Sequence, residues 1–127
     1  KAANYPIDET LIRQGDFTPA SGFTAMNALL DQPDRPDAVF VASDVVAIGA
    51  MQAVKQRGLR IPQDIAIIGF DDIPMAGHFD PPLTTIRLPA YGIGWAAGER
   101  AIRLVLGEEL DTQGVLLDTE LIIRQST

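Results

Sequence analysis

With 127 residues, 46% of them hydrophobic and 21% charged, the chain has the size and composition of one globular domain able to bury a core. Its net charge of −7 excludes this segment itself as a phosphate-gripping surface, because nucleic-acid affinity comes mainly from Lys and Arg neutralising the backbone. Without cysteine there are no disulfides, thiolate metal sites or cysteine nucleophile, which suits a reducing compartment.

Residues 1 to 9 include Pro6, show no clear period and read as the tail of an earlier element. Thr10 to Arg13 is expected as a short strand, followed by a turn at Gly15-Asp16-Phe17. Thr18 offers an N-cap oxygen, Pro19 suits the first helical position, and Phe23, Met26 and Leu30 recur at helical spacing, predicting a helix from about Pro19 to Asp31. Pro33 and Pro36 force a loop after it.

Ala38–Ala42 and Ile65–Phe70 are short apolar runs rich in branched residues and without period-2 alternation, the pattern of parallel strands covered on both faces. A helix from about Asp44 to Arg57 joins them, capped by Ser43-Asp44 and ended by Gly58, so the unit is β-α-β with a right-handed crossover. That helix is apolar on more than one side. Either its alanines lie near the surface or a second partner meets it, a reading that rests on Val45 and Ile48.

Asp72 to Pro82 reads as a loop with at most one helical turn, and Leu83–Leu88 as a third strand of mixed polarity. Pro89 opens a helix to about Leu106, with Ile93, Ala96, Ala97, Ala101, Leu104 and Val105 on one face. Val115–Leu117 and Glu120–Arg124 are two further short strands. The expected architecture is α/β, a three-layer α/β/α sandwich around a mostly parallel sheet, incomplete at its start. Residues 1–127 then form part of a larger protein.

In such sheets ligands bind beyond the carboxyl ends of the strands, where Ser43-Asp44 and Asp71-Asp72 are delivered. Asp71 can accept from two adjacent hydroxyls, as a sugar or ribose presents them, Ser43 can both donate and accept, and Phe17 can cover a sugar face or stack a base. The same positions suit other roles, since a carboxylate at a strand end also caps or turns the chain and Phe17 also suits a core. Other chemistries lack their residues. Gly92-Ile93-Gly94-Trp95-Ala96-Ala97-Gly98 is one residue too long for a dinucleotide fingerprint, His78 is a lone histidine without a G-x-S-x-G serine, and Asp71-Asp72 with Asp80 lacks calcium-loop spacing. No catalytic residue, metal or cofactor is expected. No apolar run approaches the roughly 20 residues of a bilayer span, so no membrane partner is expected either.

Gly15-Asp16-Phe17 with Ser21-Gly22-Phe23, Pro36 through Asp44, Ala47-Ile48-Gly49-Ala50-Met51, Gly58 through Ile65, Ile68-Gly69-Phe70-Asp71-Asp72 and Pro81-Pro82-Leu83-Thr84-Thr85-Ile86 resemble the effector-binding domain of the LacI/GalR family of transcriptional repressors. The tail Glu120–Thr127 resembles that family's closing segment. The resemblance implies the C-terminal, periplasmic-binding-protein-like (type I) subdomain of a cytoplasmic homodimeric repressor. Its operator DNA would be bound by an N-terminal helix-turn-helix outside this sequence. A small-molecule effector, a sugar or related metabolite, would sit in the cleft between two lobes. By position Asp71 corresponds to the family's sugar-hydroxyl acceptor, Phe17 to its stacking aromatic, and Ser43 to a site that is usually Asn. Ile48 and Phe79, with His78 beside it, correspond to the dimer interface, which agrees with the over-apolar helix at Val45 and Ile48. The rival class is a periplasmic sugar receptor of a transport system, which shares the lobe architecture.

Overall fold

A computed structural model describes residues 6–110 and 114–127. Its elements in order are a 3-10 turn at Glu9–Leu11, α1 at Pro19–Leu30, β1 at Ala38–Phe40, α2 at Asp44–Gln56, β2 at Ala66–Asp71, a second 3-10 turn at Ala76–His78, β3 at Thr84–Arg87, α3 at Ala90–Val105 and β4 at Glu120–Ile122. The sheet runs β1-β2-β3-β4, with the first three strands parallel and β4 antiparallel to β3. The β-α-β unit, the α/β class and the mostly parallel sheet are therefore as the sequence predicts.

Local chemistry sets the helix ends. Thr18 accepts from the Ser21 N–H at the start of α1 with Pro19 behind it, and Ser43 does the same for the Val45 N–H of α2. Gly58 follows α2 at φ +71°, a conformation that branched residues avoid. At Gly49 an added Cβ would collide with the Pro19 carbonyl, so α1 and α2 meet almost backbone to backbone. The core fills the space between these helices and the sheet. Met26, Ile65, Ile67 and Leu83 are its largest apolar members at 2% exposure or less, each stabilising the fold by about 1.5–3 kcal/mol.

Three expectations change. Thr10–Arg13 is not a strand: Asp8 accepts from both the amide and the hydroxyl of Thr10, and this local bonding bends the chain into the 3-10 turn instead. Val115–Leu117 form no strand either. The side of β3 away from β2 is taken by β4, and these residues line a groove with Ile93, Ala96 and Ala97 of α3. The strands are also less covered than their composition predicts. On β1 Ala38 and Phe40 are exposed, and on β2 Ala66, Ile68 and Phe70 are half-buried, because α1 and α2 lie on one side while α3 buries none of its own residues. Phe40 and Phe70 meet edge to face, with ring centres 6.3 Å apart.

The last residues close the opposite end of the sheet. The buried Ser126 hydroxyl donates to the Ile67 carbonyl at 2.6 Å and accepts from the Thr84 N–H at 2.8 Å, which pins the start of β3 against β2. Their carboxyl ends therefore open together on the far edge.

Candidate functional site

β1 leads into Ser43, which caps α2, and β2 ends on Asp71, so parallel pairing brings the two side chains to one rim. The Ser43 hydroxyl donates to Asp71 Oδ2 at 3.1 Å. This occupies one of roughly four acceptor positions on the carboxylate. Ser43 is buried and Asp71 half-buried, so bonds made here are partly shielded from water.

The loop behind Asp71 is under constraint. Asp71 has φ +113° and Asp72 φ +53°, conformations that cost a non-glycine residue about 1–3 kcal/mol unless the surroundings impose them. Asp44 supplies one restraint. Its carboxylate is wholly buried, accepts from the Thr85 hydroxyl at 2.7 Å and the Ile73 N–H at 3.0 Å, and lies so close to Gly69 that a Cβ there would strike it. Asp72 supplies the other. Its Oδ1 accepts from Arg124 at 2.6 Å and its Oδ2 from Arg87 at 2.7 Å. Burial pushes the Asp72 carboxyl up, but the hydrogen bonds and charges of Arg124 and Arg87 outweigh it and hold the group below its ordinary value.

Phe17 stands apart from this pair. It is 71% exposed, which removes the core role, and its φ of +63° follows a turn in which Asp16 accepts from the Thr18 amide and hydroxyl. The Thr18 and Ser21 hydroxyls hold the Asp16 carboxyl below its ordinary value. Phe17 lines a cavity of about 190 Å³ with Arg13, Met26, Val41, Ala42 and Val46, and neither Ser43 nor Asp71 borders it. The structure thus joins Ser43 to Asp71 and places Phe17 at a cavity whose wall ends one residue before Ser43.

The other candidates lie along α2. Val45 and Ile48 are half-buried and outside the core, while Ala47, Ala50, Met51 and Val54 are buried within it. Ile48 and Phe79 line a groove of about 260 Å³ with Met51, Gln52, Lys55 and Asp80, and the Lys55 ammonium binds Asp80 at 2.6 Å on its border. Val45 and His78 do not line that groove, and His78 is exposed, with Nδ1 3.3 Å from the Pro74 carbonyl. Among the described residues no His, Asp and Glu gather as metal ligands, and no helix is long and apolar enough to cross a membrane.

Sequence reasoning placed Ser43-Asp44 and Asp71-Asp72 at the strand ends but gave Asp44 no role beyond the cap and the rim, and it passed over Arg13, Arg87 and Arg124. Arg124 lies 52 positions from Asp72, and no local pattern links them.

A family model described as the periplasmic binding protein-like domain matches residues 1–127. The chain belongs to this family. Relatives of this periplasmic-binding-protein-like chain include the HTH-type transcriptional repressor CytR of Escherichia coli strain K12, 46% identical over 121 residues, or 95% of this chain and 36% of the relative. A solved transcriptional regulator CelR–cellobiose complex superposes with TM-score 0.92 at 37% identity, covering 99% of this chain and 38% of the other. A regulatory protein of the LacI family from Chloroflexus aggregans does so with TM-score 0.87 at 40% identity, covering 98% and 45%. The chain spans about a third of the length of the curated relatives it matches.

Proposed function

We propose that the chain is the effector-sensing and dimerising portion of a cytoplasmic LacI-family transcriptional repressor, namely the C-terminal subdomain of a two-lobed module. The observation that carries this reading is the Ser43–Asp71 rim, a hydroxyl and a carboxylate bonded at the carboxyl edge of a parallel sheet. Residues outside 1–127 then supply the second lobe and the helix-turn-helix for operator DNA, consistent with the acidic balance of this segment. Relatives that are transcriptional regulators support this over a transport receptor of similar lobe architecture.

The effector in this reading is a small polyhydroxylated molecule, a sugar or related metabolite, and the cellobiose complex of a structural neighbour supports that class. Asp71 accepts two neighbouring hydroxyls, Ser43 orients the carboxylate, and Phe17 covers an apolar face of the ligand from the adjoining cavity. Val45, Ile48, His78 and Phe79 contribute to the face that meets a second copy, with the Ile48–Phe79 groove at its centre. A ligand that binds the closed cleft better than the open one shifts the dimer's geometry. Operator affinity then changes by the same coupling energy, typically about 1–3 kcal/mol. Nothing is turned over.

The intact protein titrated calorimetrically with cellobiose, galactose, ribose and adenosine is expected to bind at least one of them and release it chemically unchanged. The bound compound is expected to alter operator affinity several-fold in fluorescence anisotropy. Conversion of the bound compound, or binding with no change in DNA affinity, contradicts the proposal.

A further inference from the structure

We infer that Asp72, held between Arg87 and Arg124, is a positioning residue that presents Asp71 to the effector and ties it to the segments leading into and out of α3. The inference rests on the proposed role of Asp71.

The geometry is specific. The Asp72 side chain is only 7% exposed, and each of its oxygens binds a different arginine. Arg124 also donates to the Leu83 carbonyl at 2.7 Å, so its guanidinium is fixed by the protein on both sides. Arg87 also reaches Glu120 at 3.1 Å. In the sheet Asp71 pairs with Arg87 and Arg87 with Glu120, so these three residues form one row across the edge that carries the rim. Arg87 is the last residue of β3, two positions before Pro89 and α3, and Glu120 is the first residue of β4, where the chain rejoins the sheet.

A solvent-exposed ion pair would carry little weight here, but a nearly buried carboxylate with two guanidinium partners resists the loss of either one. Two consecutive non-glycine residues at positive φ need external restraints, and Asp72 supplies one of them beside Asp44. Ser43 bonds the Asp71 carboxylate, Asp44 accepts from the Ile73 N–H and the arginines bond the Asp72 carboxylate between them, so each of residues 71–73 is tied to a neighbouring element. Movement of the α3 connections would reach Asp71 through Arg87.

The test uses the intact protein and cellobiose, galactose, ribose and adenosine as probes. Asp72→Asn and Arg124→Gln are each expected to weaken calorimetric binding by about tenfold, with Arg124→Lys recovering part of the loss. In an Asp71→Asn background the same Asp72→Asn change is expected to add less than about twofold, because its effect acts through Asp71. Amide hydrogen exchange without ligand is expected to quicken at residues 71–73 and to stay unchanged in α2. Arg87→Gln, at a half-exposed side chain, keeps the test open if Asp72→Asn does not fold, with an expected loss of about threefold. Unchanged affinity in all these variants, additive losses in the Asp71→Asn background, or unaltered exchange at 71–73 overturns the inference. If Asp71→Asn alone leaves affinity intact, the proposed effector site itself is wrong. If none of the four probes binds, the exchange result decides the positioning role.

Discussion

Two regions of this chain are written in similar apolar residues and end in opposite states. In the lobe of β1–β3, α1 and α2, Met26, Ile67 and Leu83 are 2% exposed or less, whereas Ile93, Leu104 and Val105 of α3 are 45%, 61% and 87% exposed. An apolar stripe on a helix states that a partner is needed and says nothing about where it lies. The lobe buries its apolar side chains within residues 6–110 and 114–127, and α3 buries none of its own.

The largest contrast should appear on truncating each region. In urea unfolding of this chain, Leu83→Ala is expected to cost about 3 kcal/mol and Leu104→Ala less than about 0.5 kcal/mol. Equal losses would break the distinction. It sharpens if Leu104→Ala becomes costly only in the intact protein, where the proposed second lobe is present. Gly69→Ala comes next, with about 1–3 kcal/mol expected from driving a methyl group against the Asp44 carboxylate and Leu83. A loss below 0.5 kcal/mol, on the order of an ordinary surface change, would mean that Asp44 is free to move.

Acid should also act on the lobe, through Asp72. The Asp72 carboxyl is depressed in the folded state, so its contribution is fully present above the ordinary value of 3.8 and is lost as pH falls below 3.8 through the folded value. The charged groups around it are Arg87 and Arg124, with Glu120 behind Arg87 and Asp71 adjacent in sequence. Unfolding followed by urea at stepped pH should therefore show a fall below 3.8 that is shallower in Asp72→Asn; an identical slope would remove Asp72 from the account. The smallest effect is expected at the groove border. The Lys55–Asp80 pair is largely exposed, so Lys55→Met should shift unfolding by less than about 1 kcal/mol.

The parts of the fold legible in the sequence were those set by short-range rules. Thr18-Pro19, Ser43 and Gly58 marked helix ends through capping and backbone freedom, and the branched runs marked β1 and β2. Ser43 and Asp71 followed from strand direction alone. Asp8 defeated the strand reading at Thr10–Arg13 because two bonds to its carboxylate outcompete a weak β preference over four residues. Val115–Leu117 looked like a strand, but strand propensity cannot show which sheet edges are already taken. The Arg124–Asp72–Arg87 clamp was invisible because its members meet only after the sheet has assembled.

The central claim is that the Asp71 carboxylate grips the effector. Calorimetry of the intact protein with whichever of cellobiose, galactose, ribose and adenosine it binds, compared with Asp71→Ala, tests this most directly. The loss of charge-assisted hydrogen bonds predicts affinity lowered by at least about tenfold with the melting temperature retained. Equal affinity in the two proteins would contradict it.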